Sequence, residues 1–254
     1  MTEKVKTGIE GLDRALNGGF PKGNIILISG GAGTGKSTLC LQYLINGAKL
    51  YNEKGLYIST EQTKKEIQKT ADSFKWDITS LENNNMLKIV YFDIVETNNF
   101  LEKLYELYTT FMPKRIVIDS LTTLSDHLLV SGINTKKPYS LVKIGESVSP
   151  IPQSERIIAK NLLYHLMKKL RLFDSTILLT SELLEGQAGL SADQISEFIC
   201  DGVMVMNFLE VGVIEDRSLI IRKMRYTDHE KKPLNYEINN NGIVFKEKVD
   251  ILKL

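Results

Sequence analysis

Residues 30–38 of the 254-residue chain read Gly-Gly-Ala-Gly-Thr-Gly-Lys-Ser-Thr, and no other segment narrows the possible folds as much. Gly30, Gly35, Lys36 and Ser37 fall at the spacing G-x-x-x-x-G-K-[ST]. A loop of this kind works only between a strand that ends at it and a helix that opens behind it. Its glycines let backbone N–H groups turn inward on phosphate oxygens, and the helix N-terminus adds partial positive charge. The apolar run over 24–29 supplies the strand, while Leu39, Cys40, Tyr43, Leu44, Gly47 and Ala48 mark one face of the helix. All nine loop residues, Gly30, Gly31, Ala32, Gly33, Thr34, Gly35, Lys36, Ser37 and Thr38, are therefore expected around the phosphates of a bound nucleotide. Lys36 is expected to reach the β- and γ-phosphates, Ser37 to set its hydroxyl on Mg²⁺, and Thr38 to lie near the α-phosphate.

Short apolar runs recur at 25–28, 56–58, 87–92, 116–118, 177–179 and 203–206, alternating with segments of helical period. That rhythm predicts an α/β fold, a mostly parallel sheet flanked by helices. One of those helices carries Ile158, Leu162, Leu166 and Leu170 on a single face. From about Gly212 the spacing tightens to strands at 218–226, 234–238 and 243–246 around a turn signal at 239–242, which predicts a C-terminal antiparallel extension. The stretch 125–152, with Pro138, Pro150 and Pro152 among Gly, Ser and Lys, reads as a long exposed loop. One domain over 1–254 is the simplest division, since a single core stops growing only near ~250–300 residues.

Composition removes several alternatives. Hydrophobic residues at 43% and charged residues at 25% exclude a disordered chain, and a net charge of +1 argues against a surface ruled by nucleic-acid phosphates. Cys40 and Cys200, the two cysteines, sit in apolar surroundings without C-x-x-C spacing, as buried thiols do rather than a disulfide or a zinc site. His127, His165 and His229 are too dispersed for a metal cluster, so Mg²⁺ held with the nucleotide is the one metal expected. No run approaches the roughly 18 apolar residues of a membrane span, and the N-terminus lacks an apolar signal core; a cytoplasmic protein without a membrane partner is expected.

Three further sets of residues carry chemistry. Asp119 closes the apolar strand Arg115-Ile116-Val117-Ile118 and is the candidate second Mg²⁺ residue beside Ser37; an Asp capping a loop is the plainer alternative. Glu61 follows the strand at 55–59, and ligands of parallel sheets gather at the carboxyl ends of strands. By position alone it is equally a solvated Glu at a helix start. Lys223 and Arg225, two apart on a late strand, share one face, and taken alone they read as charges guarding a sheet edge.

The segment upstream of the phosphate loop, Thr7-Gly8-Ile9-Glu10-Gly11-Leu12-Asp13 and then Leu16 to Gly23, is similar to the KaiC branch of the RecA superfamily. Further matches are Ser59-Thr60-Glu61, Ile118-Asp119-Ser120, Leu179-Thr180-Ser181-Glu182, Phe198-Ile199-Cys200-Asp201-Gly202-Val203 and Lys223-Met224-Arg225 with His229 following. Only 125–152 looks unlike the family. The chain resembles most the single-domain KaiC-like and RadA-paralogue proteins of archaea, and clock function is not carried over.

The resemblance implies a RecA-like P-loop ATPase fold that binds ATP and Mg²⁺ and assembles with itself into a ring, usually hexameric, with nucleotide between neighbours. It assigns catalysis to Lys36 and to Glu61, the first of a pair of glutamates whose second position is Gln62 here, which puts efficient hydrolysis in question. It assigns Lys223 and Arg225 to the γ-phosphate bound by the adjacent subunit, and His229 to the subunit interface. Three roles then compete: an ATP-hydrolysing switch or assembly factor with a protein partner still to be named, a recombination accessory factor, or an ATP-binding scaffold that scarcely hydrolyses. The second would hold single-stranded DNA through Lys136, Lys137, Tyr139 and Lys143, against the offsetting charges of Glu146 and Glu155.

Overall fold

A computed structural model describes residues 2–93, 100–126, 139–144, 147–152, 155–183, 189–211 and 214–246. The elements run in the order β1 (Lys4–Val5), α1 (Glu10–Ala15), β2 (Phe20–Pro21), β3 (Ile25–Gly30), α2 (Lys36–Tyr51), β4 (Gly55–Ser59), α3 (Lys64–Ser73), α4 (Ile78–Asn83), β5 (Leu87–Tyr91), α5 (Phe100–Phe111) and β6 (Arg115–Asp119). They continue with β7 (Tyr139–Ile144), β8 (Ser147–Pro152), α6 (Glu155–Leu170), β9 (Thr176–Glu182), α7 (Ser196–Ile199), β10 (Gly202–Val211), β11 (Ile214–Met224), β12 (Leu234–Asn239) and β13 (Gly242–Phe245). A nine-stranded sheet has the order β13-β12-β11-β10-β3-β9-β6-β4-β5. Every pairing from β10 to β5 is parallel, and the β10–β11, β11–β12 and β12–β13 pairings are antiparallel. The expected parallel sheet with its antiparallel extension is what forms.

The apolar runs are continuous because the parallel strands are buried on both faces. Side-chain alternation divides them between two cores. Ile26, Ile28, Tyr57, Val117 and Leu178 join α1 to α4 in one core. Ile25, Leu27, Leu56, Ile58, Ile116, Ile118, Ile177 and Leu179 meet Phe100, Leu104 and Phe111 of α5 and the buried face of α6 in the other. That α6 face is Leu163, Leu166, Met167 and Leu170; Leu162 of the expected stripe is only half-buried, and Leu163 takes its place. Cys40 and Cys200 are buried free thiols, one in each core.

The expected loop at 125–152 is corrected in part. A two-stranded hairpin, β7 against β8 from Tyr139↔Pro152 to Ile144↔Ser147, occupies its second half. Three prolines suggested a loop, but Pro150 and Pro152 lie in a two-stranded ribbon, where each strand is an edge and a missing N–H is tolerated. Pro138, Lys136, Lys137, Glu146 and His127 lie outside the described residues. Similarly, β11 begins at Ile214 rather than at 218, because it pairs with β10 along its length, from Gly202↔Met224 to Val211↔Ile214.

One buried cation locks the phosphate-loop helix to the sheet. Arg115, at the start of β6, is fully buried. Its Nε donates to Glu53 (2.6 Å), Nη1 to the Tyr43 carbonyl (2.9 Å) and Nη2 to the Lys6 carbonyl (2.8 Å), and its guanidinium lies 4.5 Å from the Tyr43 ring centroid. Gly47 of α2 makes room for it, since a Cβ there would stand 2.4 Å from Arg115 Nε and 2.5 Å from Cδ. In an open helix interior Gly→Ala adds stability. Here Gly47→Ala is expected to cost about 3 kcal/mol by displacing a buried, hydrogen-bonded charge. Urea unfolding measures it, and a stability equal to or above wild type would contradict the lock.

Candidate nucleotide site

β3 delivers Gly30 to the carboxyl edge of the sheet and α2 opens six residues later at Lys36. Gly33 and Gly35 turn the loop with φ of 72° and 96°, the left-handed region that glycine enters without strain. Gly35 is also pressed by the late strands, since a Cβ there would lie 2.7 Å from Ile238 Cδ1. Buried Tyr236 of β12 donates its hydroxyl to the Thr34 carbonyl at 2.6 Å, and the Thr34 hydroxyl donates to the Gly31 carbonyl at 2.8 Å. The antiparallel extension therefore braces the outer side of the loop.

Lys36 Nζ folds back to donate to the carbonyls of Gly30 (2.9 Å) and Gly31 (3.0 Å). Burial pulls its pKa below the ordinary lysine value, while the carboxylates of Asp119, Glu182 and Glu61 oppose that shift. Desolvation disfavours the ammonium and the three carboxylates favour it, and the charge they leave on Lys36 is the loop's own counter-charge to a bound phosphate.

Asp119 ends β6 and is buried. Its Oδ2 accepts from the Tyr57 hydroxyl and its Oδ1 from the Thr180 hydroxyl, both at 2.5 Å, so one residue on each neighbouring strand, β4 and β9, orients the carboxylate. Burial, then the charge of Asp119, pushes the Tyr57 hydroxyl well above its usual pKa, and Tyr57 therefore stays a donor. The nearby Ser37 side chain opposes part of that shift, so Tyr57, which holds Asp119, also stands close to the other candidate Mg²⁺ residue. Among the described residues there is no group of three or more His, Cys, Asp or Glu able to cage a metal. One carboxylate and one hydroxyl beside a phosphate loop fit Mg²⁺, which keeps waters and phosphate oxygens as its other ligands.

Glu61 stands beyond the end of β4, exposed. Its Oε1 accepts from the hydroxyls of Ser120 and of Thr123, the latter at 2.7 Å. The turn carrying it is tied to the Asp119 segment, since Thr60 N–H donates to the Asp119 carbonyl (2.8 Å) and Ser120 N–H to the Thr60 hydroxyl (2.9 Å). Gln62 gives its backbone N–H to the Ser59 hydroxyl at 2.9 Å. Lys36, Ser37, Asp119 and Glu61 thus come together at one edge of the sheet.

Lys223 and Arg225 do not join them. Met224 pairs with Gly202 and Gly202 with Ile26, while Arg225 N–H donates to the Asp201 carbonyl, at the amino end of β3. Along β3 Arg225 is therefore five residue steps from Gly30, roughly 16 Å, and Lys223, whose partner Val203 pairs with Leu27, is three steps away, roughly 10 Å. Lys223 Nζ donates to the carbonyls of Glu197 (3.1 Å), Phe198 (3.2 Å) and Cys200 (2.6 Å), capping the end of α7. Arg225 meets Asp201 at 3.2 Å and keeps 44% of its side chain exposed. His229 lines a groove with Lys223 and exposed Phe198.

Sequence reasoning missed Tyr57, Thr180, Ser120, Thr123 and Tyr236. Thr180 and Ser120 lie within segments that resemble the family, but Tyr57, in the middle of an apolar strand, carries no signal beyond its own hydroxyl.

A phosphate loop between strand and helix on a mostly parallel sheet, with an oriented acid ending a strand two places away, defines a P-loop NTPase domain of RecA-like fold. Comparison with known proteins narrows the class. A family model described as "ATPase: KaiC" matches residues 5–133 and 129–250, and the chain belongs to that family. A UPF0273 protein of Methanocaldococcus jannaschii is 32% identical over 97% of this chain and 98% of its own length. The circadian clock oscillator protein KaiC of a Nostoc species is 28% identical over 95% of this chain, which covers only 44% of that protein. The crystal structure of a KaiC-like protein from Pyrococcus horikoshii superposes with a TM-score of 0.79 and 32% identity, covering 97% of this chain and all of that one. Family membership brings ATP binding with it. Among the described residues no helix is long and apolar enough to cross a membrane.

Proposed function

We propose that the chain is a Mg²⁺-dependent ATPase, acting as one domain over 1–254, which assembles into a ring and works as a nucleotide-controlled switch or assembly factor in the cytoplasm. The observation that carries this reading is the division of the site: loop, metal residues and carboxylate at one edge of the sheet, an exposed arginine at the other. A ring brings the second edge of one subunit to the first edge of the next and completes the site.

In this reading the loop amides and Lys36 bind the β- and γ-phosphates, while Ser37 and Asp119 hold the metal. Bound Mg²⁺ supplies neutralisation of charge on the β- and γ-phosphate oxygens. Ser120 and Thr123 hold Oε1 of Glu61, which leaves the second carboxylate oxygen to take a proton from the water that attacks the γ-phosphate. Products are ADP and inorganic phosphate. Arg225, with Lys223 beside it, meets the developing charge on the neighbour's γ-phosphate.

Glu61→Gln keeps the shape and removes the base. Phosphate release is expected to fall about 100-fold while ATP remains bound. Gln62 favours a second reading, a scaffold that binds ATP and scarcely hydrolyses it. If wild type releases phosphate no faster than Glu61→Gln, the scaffold reading replaces the ATPase one.

A further inference from the structure

Asp201 is buried to 1% exposure at the junction of α7 and β10, with no part in the chemistry described above. Its carboxylate is saturated. Arg171, just beyond α6, donates from Nη1 to Oδ2 at 2.9 Å and from Nη2 to Oδ1 at 3.1 Å. Ile25 N–H donates to Oδ2 at 3.1 Å, and Arg225 Nη1 to Oδ1 at 3.2 Å. The paired contact with Arg171 already neutralises the carboxylate, so Arg225 is surplus in charge. Among the described residues Arg225 makes one side-chain hydrogen bond, out of the five donors of a guanidinium, and it is nearly half exposed. A cation held by a single bond on a buried, doubly anchored acid is held for direction rather than for neutralisation.

We propose that Asp201 is the positioning residue of the trans-acting arginine: fixed by Arg171 and by the first N–H of β3, it aims the guanidinium of Arg225 at the phosphates bound by the adjacent subunit. This rests on the reading of Arg225 as a residue that acts across a subunit interface. Because Ile25 opens the strand that ends in the phosphate loop, the same carboxylate ties the arginine to the far end of the strand carrying its own subunit's nucleotide site. Lys223 contributes in another way. It caps α7, and burial followed by repulsion from Arg225 lowers its pKa.

The experiment uses full-length Asp201→Asn, which preserves size and one acceptor oxygen but weakens the grip on both arginines. Steady-state turnover is expected to fall about 100-fold with the KM for ATP little changed, because a displaced catalytic group costs rate while the phosphate loop stays intact. Co-assembly with Lys36→Ala subunits is the readout that a merely structural role does not move. Those subunits carry an intact arginine, so turnover by the intact phosphate loops of Asp201→Asn subunits should partly return. Arg225→Ala co-assembled with Lys36→Ala is run in parallel. If that control recovers and the Asp201→Asn mixture does not, or if Asp201→Asn alone turns over ATP at the wild-type rate, the positioning role is overturned. If the control itself fails to recover, the interfacial reading of Arg225 fails and this inference falls with it. Should Asp201→Asn melt before assay, Arg171→Gln takes its place, since Arg171 is 42% exposed and removing it releases Asp201 from its anchor. The same loss and the same recovery are expected, and unchanged turnover in Arg171→Gln overturns the proposal.

Discussion

Lys36→Ala is expected to lower ATP turnover by about 10³-fold, equivalent to about 4 kcal/mol of transition-state stabilisation, and to weaken ATP binding with it. Lys36 is the one side-chain cation of the loop, and it lies among Asp119, Glu182 and Glu61. Remove it, and those three carboxylates face the triphosphate with one less counter-charge. Its bonds to the Gly30 and Gly31 carbonyls belong to loop atoms that water or neighbouring donors can satisfy, so the fold survives the substitution. Isothermal titration with ATP and a phosphate-release assay measure the two losses. Unchanged affinity and unchanged turnover in a folded Lys36→Ala protein would remove the basis for reading 30–38 as the nucleotide site.

Arg225→Ala is expected to reduce turnover by about 10³-fold or more, within the range associated with arginine fingers. Folding is largely spared. Arg225 is 44% exposed and Asp201 keeps Arg171, so the partly solvated ion pair contributes less than about 1 kcal/mol to stability. Within one subunit the arginine lies at the amino end of β3 and the phosphate loop at its carboxyl end, so an intramolecular role requires the fold to be broken. A trans role makes a different demand: mixtures of Arg225→Ala with Lys36→Ala subunits contain some interfaces with both an intact loop and an intact arginine, and these recover activity. Light scattering in ATP tests assembly separately. A strictly monomeric ATP-loaded protein, or freely exchanging subunits that recover nothing, would dispose of the interfacial mechanism.

Parts of this protein that depend on contacts close in sequence are readable from the sequence. The phosphate loop is one, because the strand, the left-handed glycines and the helix start all lie within 25–51 and each demands its residue type locally. The parallel strands are another, since burial on both faces leaves continuous apolar runs such as Ile25–Gly30 and Arg115–Asp119. Asp119 and Glu61 could be singled out because both follow such runs.

Sheet order and packing decide the rest. Tyr57 and Thr180 grip Asp119 only because β4 and β9 flank β6, an adjacency that no local pattern encodes. Arg115 looks from its charge like a residue for solvent, yet the missing side chain of Gly47 and three separate acceptors make a buried site for it. The stripe on α6 shifts from Leu162 to Leu163 because the surface it packs on, not helical period alone, chooses which neighbour is buried. The meeting of Arg171, Asp201 and Arg225 joins positions 30 and 24 residues apart. Charge alone marked Arg225 as an edge cation; only the tertiary structure sets it on a buried carboxylate at the opposite end of β3 from the phosphate loop, because the register of β10 against β3 and β11 fixes how far along the sheet each residue stands.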